Sequence, residues 1–116
     1  MASFPKQIRI TNESQLQTLF DSGKSISSGG ITLKYIHSQT EFKVGFSAPK
    51  RQHTTAVTRN LLKRRMRESF RLQKHVLGDS FYGIGYFIYN KKVVKSSSEI
   101  YQALTTLLTK WKDSET

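Results

Sequence analysis

From Ala56 to about His75 the residues repeat at helical spacing, and Arg59, Lys63, Arg64, Arg65, Arg67, Arg71 and Lys74 crowd that stretch against one acid, Glu68. At ~100° per residue, Arg59, Lys63, Arg67, Arg71 and Lys74, with Asn60 and Arg64, span roughly 140° of the circumference, while Leu62, Met66 and Ser69 point away. Phe70 falls at the border and Arg65 on the apolar side. Such a segment folds as a helix laid on a core by its apolar side, with its cations outward. Solvated helix faces normally mix signs, because like charges at i, i+4 repel. Seven cations facing one acid cost stability unless a polyanion neutralises them, so this helix is read as a phosphate-binding face.

The whole chain repeats that bias. Its 116 residues carry 19 Lys plus Arg against 8 Asp plus Glu, a net charge of +11. The length suits one core of helices packed on a sheet, and 11% aromatic residues argue for a folded chain. The absence of cysteine excludes a disulfide scaffold, an iron–sulfur centre, a Cys-ligated zinc site and a cysteine nucleophile. It fits a reducing compartment. Met1 to Gln7 lacks the apolar core of a signal peptide, and no stretch approaches the ~20 apolar residues of a membrane span. A membrane-surface helix would need bulky apolar residues beside the basic face; Leu61, Leu62 and Met66 are better used in the core. The expectation is a soluble, cytoplasmic protein that binds nucleic acid.

Period and punctuation predict the elements. Leu16, Leu19 and Phe20 mark a helix over Asn12 to Ser22, with Asn12 and Gln15 spaced as a capping box and Gly23 as its stop. After a small-residue loop, Ser27 to Gly30, alternation predicts a strand over Ile31–Ile36 and another over Phe42–Ala48 ending at Pro49, paired as a hairpin. Lys50 to Thr55 is a polar loop, Thr54 or Thr55 caps the basic helix, and Gly78 with Asp79 closes it. Phe81–Tyr89 reads as a long strand, and Val93-Val94 as a short additional strand or a strand end. Ser96 and Glu99 form a capping box ahead of Ile100, Leu104, Leu107, Leu108 and Trp111, with fraying from Lys112. The order α-β-β-α-β-α describes an α+β fold, an α/β sandwich of three helices on a mixed sheet of about four strands. It forms one domain, 1–116, with an ordered core over about 12–111.

Groups for protein-based catalysis are sparse. The eight acids are scattered without a D-x-D or H-E-x-x-H pair, and His37, His53 and His75 stand apart. No metal site and no catalytic residue is expected. Aromatic residues are the second resource, since Tyr or Phe beside a basic surface stacks unpaired bases; Tyr35, Tyr82, Tyr86 and Tyr89 lie in strands that can have one open face. A ribosomal-type RNA binder, a protein-only nuclease and a helix-turn-helix DNA binder are rival readings. The missing acidic cluster disfavours the nuclease, and the strand-rich remainder disfavours the DNA binder.

The run Ala56 to Glu68 resembles the protein subunit of bacterial ribonuclease P, whose signature is an R-N-R-x-K-R-x-x-R-E/Q helix after a strand and a basic loop. Arg59, Asn60, Lys63, Arg64, Arg67 and Glu68 match it. Val44 to Arg51 is similar to the family's strand and basic loop, and Leu16 to Phe20 with Gly23-Lys24 to its first helix and turn. Leu61 stands where the family has a second Arg, so one RNA contact is missing or moved to Arg65 or Arg71; Gln52 to Thr55 lacks the family's Gly-Asn. The resemblance implies a left-handed β-α-β crossover and a part in a ribonucleoprotein endoribonuclease that removes the 5′ leader of precursor tRNA. In it the catalyst is ribonuclease P RNA, with magnesium ions held mainly by that RNA. It implies an RNA-facing set of Arg59, Asn60, Lys63, Arg64 and Arg67, extended here by Arg71, Lys50 and Arg51. Phe20, Tyr35 and Leu16 would line a cleft for the leader. Neither a membrane nor an obligate protein partner is expected.

Overall fold

The structure, a computed structural model, describes residues 13–78 and 80–114. Its elements are α1 (Glu13–Ser22), β1 (Lys24–Ser28), β2 (Ile31–His37), β3 (Phe42–Ser47), α2 (Ala56–Gln73), β4 (Gly83–Tyr89) and α3 (Ser97–Ser114), with a 3-10 turn at Lys74–Val76 prolonging α2. Three helices on a four-stranded mixed sheet give the expected α+β fold. Asn12, expected as a cap, and Asp79, expected at a helix stop, lie outside the described residues, as do residues 1–11, which precede the expected ordered core.

The pairing of the strands differs from the expected hairpin. The sheet order is β1-β2-β4-β3, so β4 lies between β2 and β3, antiparallel to the first and parallel to the second. Burial explains the choice. Apart from the half-buried Tyr86 and Ile88, every residue of β4 is buried, and the middle of a sheet covers such a strand on both faces and both edges. The parallel β3–β4 pair requires a long crossover, which α2 supplies.

The fourth strand is also elsewhere. It is β1, a segment that sequence analysis assigned in part to a loop, and it forms a hairpin with β2 from Lys24↔Tyr35 to Ser28↔Ile31. Gly29 and Gly30 turn it at φ +56° and +81°, a conformation open to glycine at both central positions of a tight hairpin. Val93 and Val94 form no strand and are 67% and 44% exposed.

One face of the sheet carries the main core. Ile31, Leu33, Tyr35, Val44, Phe87 and Tyr89 meet Leu62, Met66 and Phe70 of α2 and Ile100, Leu104, Leu107, Leu108 and Trp111 of α3. Gly85 lets Trp111 lie on the strands: a Cβ there would come within 2.6 Å of the indole. Phe81 packs edge-on against the same indole at 5.0 Å between centroids. The Ser96–Glu99 box forms as its spacing predicts, with the Ser96 N–H donating to Glu99 Oε1 at 3.0 Å and the Glu99 N–H to Ser96 Oγ at 3.2 Å. Helix α3 continues beyond Lys112, where fraying was expected, and the Ser114 hydroxyl donates to the Trp111 carbonyl at 2.7 Å. α1 lies on the other face, where Leu19 and Ile84 are buried.

Candidate nucleic-acid interface

α2 is clamped by its apolar stripe. Leu62, Met66, Ser69, Phe70 and Gln73 are buried, including the borderline Phe70. Gln73 donates to the Tyr101 carbonyl at 2.9 Å and accepts from the Thr105 hydroxyl, which ties α2 to α3. This turns Asn60, Arg64, Arg67 and Arg71 to solvent, with Arg59 and Lys63 half-buried at the flanks. The N-cap is Thr55, in an extended conformation, and its hydroxyl donates to Thr58 Oγ1 at 2.8 Å. Lys50 and Arg51 are exposed in the turn just before the helix, where the Pro49 carbonyl accepts the N–H groups of Gln52 and His53.

The cations of α2 are differently engaged. Arg71 pairs with Glu68, Nε to Oε2, at 3.0 Å. The Arg71 hydrogen bond holds the Glu68 carboxyl below the usual carboxylate range against desolvation, aided by the nearby charges of Arg71 and Arg67; the same hydrogen bond raises Arg71. Arg65 reaches to the segment just before α3, its Nη1 donating to the Lys95 carbonyl at 2.6 Å. Both residues that stood as replacements for the Arg displaced by Leu61 therefore already have protein partners. Lys63, Arg64 and Arg67 form no ion pair among the described residues, and the Arg59 Nε is buried without an acceptor among them.

A second loop joins this surface. His53 is buried, its Nε2 lies 2.6 Å from the Lys91 carbonyl, and its ring is 5.9 Å from that of Tyr89. The Tyr89 hydroxyl donates to the Val93 carbonyl at 2.5 Å and accepts the Lys95 N–H at 3.0 Å; burial pushes its phenol above the ordinary value, and the Lys95 hydrogen bond opposes this. The loop holding Lys50 and Arg51 is thereby fixed beside the loop holding the exposed Lys91 and Lys92. In the sequence those lysines show only as part of a turn; the signal they carry is two adjacent cations in a chain already biased to positive charge.

The α1 face offers aromatic rings beside a cation. Phe20, 46% exposed, meets Tyr86 edge-on at 5.8 Å, and Lys34 Nζ lies 5.9 Å from the Phe20 centroid. Lys34 and Tyr86 are direct cross-strand partners on this face. Leu16 is half-buried one turn before Phe20. Tyr35 does not join them. It is 7% exposed on the core face, 6.1 Å from Trp111, because neighbouring strand residues point to opposite faces. Tyr86 takes the place beside Phe20 that was assigned to Tyr35. Among the described residues, no three His, Asp or Glu side chains converge as a metal site. No helix among them is long and apolar enough to cross a membrane.

The sequence model of the family Ribonuclease P matches residues 4–112. The chain belongs to the ribonuclease P protein family. It is 33% identical over 76 residues to the ribonuclease P protein component of Nitrosococcus oceani, covering 65% of this chain and 64% of that one. It is 34% identical over 70 residues to that of Staphylococcus haemolyticus, covering 60% of each. These matches span less than two thirds of the relatives' own length. The fold is similar to the RNase P protein of Staphylococcus aureus, with a TM-score of 0.77, 22% identity, and 92% and 97% of the two chains covered. For the RNase P protein of Thermotoga maritima the TM-score is 0.76 at 22% identity, with 88% and 96% covered. Both resemblances concern the ribonuclease P protein fold.

Proposed function

We propose that the chain works as the protein component of a ribonuclease P holoenzyme, binding ribonuclease P RNA through α2 and the 5′ leader of precursor tRNA across the α1 face. The observation that carries this reading is the row Arg59, Lys63, Arg64 and Arg67, the last two outward and the first two half-buried at its flanks, on a helix of this family whose only acid is committed to Arg71. Phosphates on this row, on Lys50 and Arg51, and on Arg71 at its far end release counterions and reduce repulsion between two RNAs. Asn60 adds a neutral hydrogen-bonding group. Phe20 and Tyr86, with Lys34 beside them, supply stacking and charge for an unpaired leader, and Leu16 extends that wall.

In this reading the protein binds and positions, and the RNA breaks the phosphodiester bond. Magnesium ions belong mainly to the RNA; the protein's own cations lower the amount of magnesium needed to bring substrate and ribozyme together. The holoenzyme is an endoribonuclease acting in the cytoplasm, requires no membrane or further protein, and the chain serves it as a single RNA-binding domain. The test mixes purified protein with a bacterial ribonuclease P RNA and precursor tRNA at low magnesium. Leader removal only in the complete mixture is expected. No stimulation across several partner RNAs, with the protein folded, would move the reading to a general RNA binder.

A further inference from the structure

The row of cations on α2 ends at a cavity. Arg67, Arg71 and Lys74 follow one another at i, i+4 and i+7, and Lys74 stands on the rim of an opening of about 320 Å³. Phe42, Leu77 and Phe81 form its apolar floor, and His75 and Tyr82 complete the rim with Lys74. Lys74 Nζ lies 5.8 Å from the Phe42 centroid, so a cation already sits beside an aromatic surface. Phe42 and Phe81 meet edge-on at 6.1 Å, and Tyr82 is 46% exposed. The volume falls in the usual range of about 300–1,000 Å³ for small-molecule pockets. No acid is among the described residues that line it.

An aromatic floor with a cation at the mouth suits a flat ring carrying a phosphate. We propose that this cavity receives one unstacked nucleotide of a bound RNA, its base on the Phe42–Phe81–Tyr82 surface and its phosphate toward Lys74 and His75. The proposal rests on the RNA-binding reading of α2, from which an RNA backbone following Arg67 and Arg71 arrives at Lys74. It is separate from the α1 face: Phe42 pairs with Gly83 on the opposite side of the sheet from Phe20 and Tyr86. The nucleotide comes from ribonuclease P RNA or from precursor tRNA, and the chemistry of the site is the same for both.

The test assembles protein, ribonuclease P RNA and precursor tRNA, with sparse 4-thiouridine or 6-thioguanosine placed in one RNA at a time. Near-ultraviolet cross-linking and peptide mapping should mark Tyr82, Phe81 or Phe42, and the labelled RNA that marks them is the source. Tyr82→Ala should weaken binding of that RNA about tenfold, in line with the loss of one stacked base, while Tyr82→Phe keeps it. Because Tyr82 is exposed at the rim, its truncation spares the core. Cross-links confined to other residues, with Tyr82→Ala binding unchanged and Arg64→Ala still flattening the salt dependence, would overturn the pocket and leave the RNA-binding reading intact. Salt-independent or absent binding of both RNAs would overturn the two together.

Discussion

On one face of the sheet Tyr35, Phe87 and Gly85 lie under two helices, and Trp111 fills the space between them; on the other, Leu19 of α1 and Ile84 of the sheet are buried, while Phe20, Tyr86 and Lys34 stay within reach of solvent. The same strands supply both faces. The difference follows from how much helix lies over each: α2 and α3 have 18 residues apiece, α1 has 10. Aromatic rings buried under the two helices act as packing, while rings on the less covered face, and half-buried Phe42 where the helical cover ends, remain available to a ligand. For Tyr35 and Tyr86, in the middle of their strands, the parity of position decides between the two roles.

The comparison can be broken most directly at Trp111. Trp111→Ala removes a fully buried indole from the covered face and should cost about 3–5 kcal/mol, read from urea unfolding. A loss under about 1 kcal/mol would mean that the two faces are not so different. Phe20→Ala should leave the urea midpoint nearly unchanged, yet weaken precursor tRNA several-fold more than mature tRNA; equal weakening of both substrates would place the leader elsewhere. Arg64→Ala or Arg67→Ala should keep stability within about 0.5 kcal/mol and lower the slope of log affinity against log salt by about one. An unchanged slope in both would remove α2 from the interface.

The smallest effect tests the α3 cap. The Ser96 backbone N–H, then its hydroxyl, holds the Glu99 carboxyl below the ordinary value near 4.5. Since the folded value is the lower one, the stabilisation is present above the unfolded value and is lost as pH falls through the folded one. Glu99→Gln should flatten the acid limb of the stability profile below about pH 4.5 and change little at neutrality. An acid limb identical to that of the parent protein would show that the capping carboxylate contributes nothing.

The helices were legible because their information is local. Leu62, Met66 and Phe70 sit four residues apart, so burying them sets Arg64 and Arg67 outward whatever lies beneath, and Ser96 with Glu99 closes its box without help from distant residues. The basic row and the family signature could thus be read before any contact was known. Strand β1 was less visible, because Lys-Ser-Ile-Ser-Ser offers one apolar residue to an edge; the Gly29-Gly30 pair was the available sign of its turn. The tertiary structure alone decided that β4 separates β2 from β3, that Tyr35 faces Trp111 while Tyr86 faces Phe20, and that His53 draws the Lys91 loop beside Lys50 and Arg51. A strand exposes its periodicity to the reader but not its partner. Pairing is chosen by burial summed over residues far apart in the chain, and a strand's two faces acquire their meaning only when helices come to lie on them.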